Sequence, residues 1–382
     1  MKTGISVYHN ILWSKYKGIV FSRLSESFDK DTIEIIFFQI AETDLNRSSL
    51  SGVDLSYHTY QYVLVFNGAY SLIPLYKLFF ILFYSVLRSD SALILLPGYH
   101  KIEYWGMLMA AVLTGKKRAV FCDSTIYDQP QSRLKGYLKR VFFYLCDGFF
   151  SYGNRGRQYL QYYGAAAEKI FPRCQAAALP HNYSVESAFN ERVRLSPNVS
   201  KPRFLYVGRF SPEKSLDILM RSFQSVIKEY PAASLVLVGA GPLKLDFEAL
   251  ALELGINSNV IFAGSMDPAG LAVEYARASC LVLPSFSEPW GLVVNEALSY
   301  GCPVVVSHRC GCVPELVENK STGFVFEAGN IDELTEKLLA VPVAFSDVEA
   351  IARHCMNLIS TFSPDAAANE ILKGCKQILA SR

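Results

Sequence analysis

Short, unbroken apolar runs recur along this chain, spaced so that a helix fits between each pair. The first half carries them at 33–38, 62–66, 92–97 and 118–122, and the second at 204–208, 234–239, 260–264, 280–283 and 303–306. Runs of this length fit strands buried on both faces, the signature of a parallel sheet covered by helices. Helical periodicity fills the gaps, as at 104–113 before Gly115, 216–230, 244–254 and 267–278. Two such series predict an α/β fold of two doubly wound domains facing a deep cleft. A chain of 382 residues also exceeds what one ordinary core organises. The expected boundaries are a first domain at 1–185, a linker at 186–202 around Ser196-Pro197-Asn198, and a second domain at 203–362. A closing helix at 363–382, opened by Pro364, is expected to cross back to the first domain.

Composition removes several function classes. With 51% hydrophobic and 19% charged residues the chain can fill two cores, which excludes a disordered chain. A formal charge of +2 gives no case for nucleic-acid binding. The charge is uneven: residues 1–190 hold 20 Lys and Arg against 14 Asp and Glu, residues 191–382 hold 17 against 21, so the first half is the one to face an anionic partner. Nine cysteines without a framework spacing read as buried thiols in a reducing compartment. The first residues lack the apolar core of a leader. The greasiest stretch, 78–87 between Lys77 and Arg88, is too short to span a bilayer and reads as a buried helix. Asp29-Lys30-Asp31 reads as a turn at a helix end rather than a metal site. These features predict a cytoplasmic chain, with peripheral contact at the inner face of the plasma membrane as an added possibility.

The chemistry concentrates where the second series of strands ends. In open α/β sheets ligands bind at the carboxyl ends of strands. Gly208-Arg209 and Lys214 follow the first of these strands; two cations ahead of a helix start form a cradle for a diphosphate. Gly239-Ala240-Gly241-Pro242 follows the second strand and Gly264-Ser265-Met266 the third. After the fourth comes Ser287-Glu288-Pro289-Trp290-Gly291-Leu292-Val293-Val294-Asn295-Glu296. Glu288 falls in a loop and Glu296 in the next helix, a placement suited to gripping hydroxyls rather than sharing a proton. Singly, each piece has a structural reading: a tight turn, solvated charges, a capping pattern. Together they define one rim.

This ordered set resembles the retaining family-4 glycosyltransferases of GT-B fold, whose hallmark is Glu, seven residues, Glu. The resemblance covers roughly residues 203–340. It implies that Arg209 and Lys214 bind the donor's diphosphate, that Glu296 holds the ribose and that Glu288 contacts the sugar. Backbone around Gly241, Gly291, Leu292 and Val293 would approach phosphate or sugar, and Ser265-Met266 would read the base. No metal or other cofactor is expected. The implied activity is transfer of a sugar, with retention, from a nucleoside-diphosphate sugar to a saccharide or lipid-linked saccharide acceptor, as in bacterial polysaccharide or glycolipid assembly. A nucleotide-sugar epimerase and a non-catalytic partner subunit of the same fold are the alternatives.

In the first domain, Gly18 stands where the family places a glycine-rich loop. Asp123, after a middle strand, ranks ahead of His100 as the active-site residue, and His181-Asn182 near the linker reads as structural. Helical projection of 131–145 puts Leu134, Leu138, Val141, Phe142 and Leu145 on one side. Arg133, Lys135, Lys139 and Arg140 fall on the other with Phe143, a face that would dock on an anionic membrane surface or simply be solvated.

Overall fold

The computed structural model describes residues 2–45, 52–128 and 132–381. The chain divides into two units, Met1–Ala178 with Ser363–Arg382, and Leu179–Phe362.

Unit 1 is built on β1 (Thr3–Ile11), α1 (Lys15–Ser27), β2 (Ile33–Thr43), β3 (Tyr62–Ala69), α2 (Leu75–Leu87), β4 (Leu93–Leu96), α3 (Ile102–Leu113), β5 (Lys117–Cys122), α4 (Arg133–Tyr144), β6 (Gly148–Ser151), α5 (Gly153–Tyr162) and β7 (Ile170–Phe171). The strands pair in parallel in the order β3-β2-β1-β4-β5-β6-β7. With right-handed crossovers, the connections leading from β3 to β7 share one face of the sheet and α1 lies on the other. The core under the first face joins Leu78, Leu82 and Val86 of α2, Met107 and Leu108 of α3, and Phe142 and Phe143 of α4. The final helix, Pro364–Ala380, belongs to this unit: Gly374 faces the rings of Phe150 and Phe171, and Arg23 on α1 reaches Asp365 at 3.5 Å.

Two expectations for this half change, and a third falls in the other unit. The 78–87 stretch is not buried all round. Leu78, Leu82 and Val86, a stripe repeating every four residues, are fully buried and Phe83 and Leu87 pack partly against the core, while Phe80, Ile81 and Tyr84 stay exposed, because one face of a helix is all that a sheet covers. The 131–145 projection also fails. Gln131 lies outside the described residues, and α4 meets the core only through its last turn. Phe142 and Phe143 are therefore buried, and Leu134 and Leu138 are exposed. Phe143 packs against Tyr99 and Phe149 with ring centroids 5.1 and 5.6 Å apart, so it cannot dip into a membrane.

Unit 2 opens with α6 (Val185–Arg194) and continues with β8 (Arg203–Val207), α7 (Leu216–Glu229), β9 (Ser234–Val238), α8 (Lys244–Glu253), β10 (Val260–Gly264), α9 (Pro268–Arg277), β11 (Cys280–Leu283), α10 (Leu292–Ser299), β12 (Val304–Ser307), α11 (Val313–Leu316), β13 (Gly323–Phe326), α12 (Ile331–Ala344) and α13 (Val348–Ser360). Its parallel order is β10-β9-β8-β11-β12-β13. The third correction falls here: much of the expected linker is helix. Ser184 caps α6 by accepting from the Ser187 N–H at 3.1 Å. Arg192, 1% exposed, donates to the carbonyls of Tyr275, Ala276 and Ala278 at the end of α9. Those carbonyls have no partner inside their own helix, and a cation there also meets the negative end of the helix dipole. One arginine thus docks the segment onto the sheet's cover. All nine cysteines are buried thiols, as read from their spacing.

Candidate functional site

The loops after β8, β9 and β10 are bonded into one rim. Gly208 N–H donates to Val238, Phe210 N–H to Ala240 and Gly239 N–H to Gly264, at 2.8–3.0 Å. Gly241 serves this contact: a Cβ there would stand 2.4 Å from the Phe210 carbonyl oxygen. Its lack of a side chain is accounted for by loop packing.

Lys214 closes a short turn, Pro212–Lys214, ahead of α7. The next residue, Ser215, is left-handed with φ +50°. A non-glycine residue there carries roughly 1–2 kcal/mol of strain, sustained because it turns the chain sharply between Lys214 and α7. Lys214 Nζ is in direct contact with Glu288 Oε2, both side chains 15% exposed. Arg209 Nη2 bonds Glu213 Oε1 at 3.0 Å, Ser211 Oγ donates to the same oxygen at 2.7 Å, and Glu213 O accepts from Phe286 N–H at 2.9 Å. Beneath them Tyr206 Oη donates to the Arg209 carbonyl at 2.8 Å. The loop of Glu288 is pinned in turn by Gly311 N–H on the Glu288 carbonyl, 2.9 Å. Arg209, Lys214 and Glu288, picked from sequence at separated positions, therefore meet at one place. Glu213 and Tyr206 join them without having been singled out; both lie within the Gly-Arg…Lys motif or the strand feeding it.

Gly291 precedes α10 with φ +101°, a conformation that other residues avoid. It lets the chain turn from the Glu288 loop straight into the helix, so that the N–H groups of Leu292 and Val293 lie in the first turn, where helical donors are unpaired. Glu296, on the second turn, is half-buried and accepts from Tyr275 Oη at 2.9 Å. Burial pushes its carboxyl up to about 7, against the opposing pull of the tyrosine bond. Tyr275 stacks on Tyr300 at 5.6 Å, which fixes the phenol beneath the carboxylate. Tyr275 is a site residue that sequence reading missed; it sits on α9, twenty-one positions away, in an unremarkable helical pattern. Ser265 and Met266 lie in the loop after β10, whose Gly264 carbonyl is tied to Gly239.

In unit 1 the two rivals, Asp123 after β5 and His100 after β4, are both exposed and near enough for the Asp123 charge to bear on His100. Burial lowers the His100 pKa and Asp123 opposes it. His100 stands edge-on to Tyr104, ring centroids 5.7 Å apart. Gly18 lies inside α1, where a Cβ would stand 2.7 Å from the His58 ring, so packing accounts for this glycine too. Its neighbour Lys17, unremarked in the sequence, is 2% exposed. Its Nζ has no hydrogen-bond partner among the described residues and lies 4.5 Å from the Phe121 ring centroid and 4.7 Å from that of Tyr152. Burial pulls its pKa down to about 8, with Cys174 and Asp123 acting the other way. Asp29 accepts from the Asp31 N–H within its own turn at 3.0 Å, as expected of a turn. No group of three or more His, Cys, Asp or Glu that could hold a metal occurs among the described residues.

Two parallel-sheet Rossmann-like units of this kind make up the GT-B fold. The chain superposes along its whole length on a glycosyltransferase from Rickettsia africae (TM-score 0.72, 16% identity, 100% of both chains). It likewise matches HepE of Anabaena, solved in complex with UDP (TM-score 0.71, 17% identity, 99% and 100% covered). Residues 188–341 match the model of the family described as glycosyl transferases group 1. Over 151 residues it is 37% identical to the sulfoquinovosyl transferase SQD2 of Arabidopsis thaliana, covering 38% of this chain and 28% of that protein. Over 211 residues it is 29% identical to the alpha-monoglucosyldiacylglycerol synthase of Streptococcus pneumoniae, covering 54% and 48%. The matched stretch thus spans about a quarter to a half of these relatives.

Proposed function

We propose that this chain is a metal-independent, retaining glycosyltransferase that moves a sugar from a nucleoside-diphosphate sugar to a hydroxyl of a lipid-linked or other saccharide acceptor. The observation that carries this reading is the meeting of Lys214 with Glu288 beside Arg209 on the rim of unit 2. Each cation leans on a carboxylate in this structure. A diphosphate placed there would draw Lys214 and Arg209 to itself and release Glu288 to accept from a sugar hydroxyl. As the anomeric bond breaks, charge grows on the departing phosphate, and the two cations with the first turn of α10 stabilise it. Their fixed positive charge takes the place of a metal. Glu296, ionised above about pH 7, accepts from the ribose hydroxyls.

Several relatives have names that point to lipid acceptors, among them the diacylglycerol-based synthase, and HepE was solved with UDP-glucose as well as UDP. UDP-sugars are therefore the first donors to test, on lipid acceptors in vesicles. The experiment is product analysis with and without acceptor. A new glycolipid with unchanged anomeric configuration, formed in EDTA as fast as without it, is the expected result. An isomerised nucleotide-sugar formed without acceptor would replace transfer with epimerisation. Failure to bind any nucleoside diphosphate by calorimetry would leave a non-catalytic partner subunit.

A further inference from the structure

We propose that β3 is the contact through which two copies of this chain pair, edge to edge and antiparallel about a two-fold axis, joining their unit 1 sheets. This goes beyond the transfer reaction and uses none of the residues assigned to the donor. An edge strand presents unpaired N–H and C=O groups along its outer side, a template for another strand, and proteins guard such edges by shortening, bending, charging or covering them. Among the described residues the two sheets end in four edges, β3, β7, β10 and β13. β7 has two residues and lies against the final helix, β13 has four, and the register of β10 shifts between Phe262 and Gly264. β3 has eight residues and pairs with β2 from Phe37↔Tyr62 to Ala41↔Phe66; the register shift in this pair falls beyond, between Ala41 and Thr43.

The chemistry of the edge decides the occupant. Tyr62, Val63, Leu64, Val65 and Phe66 are consecutive apolar residues, none of them buried, and Val63 is 47% exposed. From Leu55 to Tyr76 the sequence holds no Asp, Glu, Lys or Arg, so the charge that commonly guards an edge is missing. A bilayer does not answer such an edge, because hydrocarbon leaves its peptide groups unpaired. An acidic or basic peptide would find no opposite charge there. A second β3 supplies a ladder and apolar side chains together, with no like charges to oppose one another. Antiparallel pairing about a two-fold axis makes the contact self-complementary. Centred on Leu64, it sets Leu64 opposite Leu64, Val63 opposite Val65 and Tyr62 opposite Phe66, and apolar cross-strand pairs of this kind stabilise sheets. A ladder this short is small beside the roughly 20–30 residues a side of a standard interface, so the dimer is expected to form in the micromolar range.

The test is sedimentation velocity of the full chain across the micromolar range, without any sugar substrate. A reversible, concentration-dependent dimer is expected, and amide hydrogen exchange at 62–66 in the wild-type chain should slow as it forms. Val63→Lys combined with Val65→Lys sets lysine opposite lysine in both copies and should raise the dimer dissociation constant about tenfold or more. Val63→Lys combined with Val65→Glu sets lysine opposite glutamate in the same register and should keep that constant within about threefold of the wild type. Both variants charge the same two positions, so a difference between them reads pairing rather than folding. A wild-type chain that stays monomeric throughout overturns the proposal. So does a dimer that both variants disturb equally, or one whose formation leaves exchange at 62–66 unchanged, a measurement that needs no variant.

Discussion

At the carboxyl rim of the second sheet, Lys214 meets Glu288 and Arg209 meets Glu213 on surface that water still reaches. At the same rim of the first sheet the comparable cation, Lys17, is roofed by Phe121 and Tyr152 and bonds to nothing among the described residues. The first arrangement can trade a carboxylate for a ligand's phosphate at little cost, since both are anions in the same place. The second would have to move aromatic rings before its amine touched anything outside. On the proposed reading, a fixed anion site therefore belongs to unit 2. Unit 1 offers a different kind of surface, with Asp123 and His100 at its rim and apolar, cationic helices on one side.

The contrast can be broken most directly at Lys214. Lys214→Ala should lower kcat about 10²–10³-fold with unfolding unchanged, the usual cost of losing a preorganised charge partner of the leaving group; steady-state kinetics beside a melting curve would measure it. Lys17→Met, by contrast, should leave nucleoside-diphosphate affinity within about twofold by calorimetry. If Lys17→Met weakens binding as much as Lys214→Ala does, the distinction between the two rims fails.

Within unit 1, Asp123→Asn should lower kcat by about 10²-fold, and His100→Gln by less than tenfold, on the reasoning that a positioned acid or base contributes on this scale. The reverse order would move the assignment to His100.

Glu296 sharpens the comparison through pH. Its folded pKa, about 7, lies above the ordinary 4.5, so ionising it opposes folding. That penalty is absent below 4.5, grows between the two values and is complete above about 7. Glu296→Gln should accordingly stabilise unit 2 at pH 8 by about 1–3 kcal/mol, read by denaturant unfolding, while weakening donor binding. In the wild type, kcat/KM should fall as pH drops through about 7. Tyr275→Phe, by removing the bond that holds the pKa down, should move that inflection upward.

The smallest effect concerns scaffold alone. Asp267 accepts from the Gly270 N–H at 2.7 Å at the start of α9, and Asp267→Ala should cost about 1 kcal/mol, with kcat untouched.

Much of unit 2 was legible because its strands are continuous apolar runs and its site residues sit directly after them. β11, Glu288, Gly291 and α10 occupy one stretch of twenty residues, and local order alone sets their relation. Unit 1 was less legible. Its central strand β1 carries Ser6, His9 and Asn10, which no apolar-run pattern selects. The structure pays for that polarity with buried bonds, Ser6 Oγ to Ser91 Oγ at 2.9 Å and His9 Nδ1 to Gln39 Oε1 at 3.2 Å. The linker expectation failed at Arg192, whose partners are carbonyls some eighty positions away.

By itself the sequence determined the α/β class, the two series of strands and the loops from which Arg209, Lys214, Glu288 and Glu296 emerge, since strand and helix periods and glycine positions are local properties. Only the tertiary structure decided that Lys214 would lie on Glu288, that Tyr275 would support Glu296, and that α2 and α4 would turn apolar side chains outward. Those outcomes depend on which face of each element the sheet covers, and that is settled by packing between residues far apart in the chain.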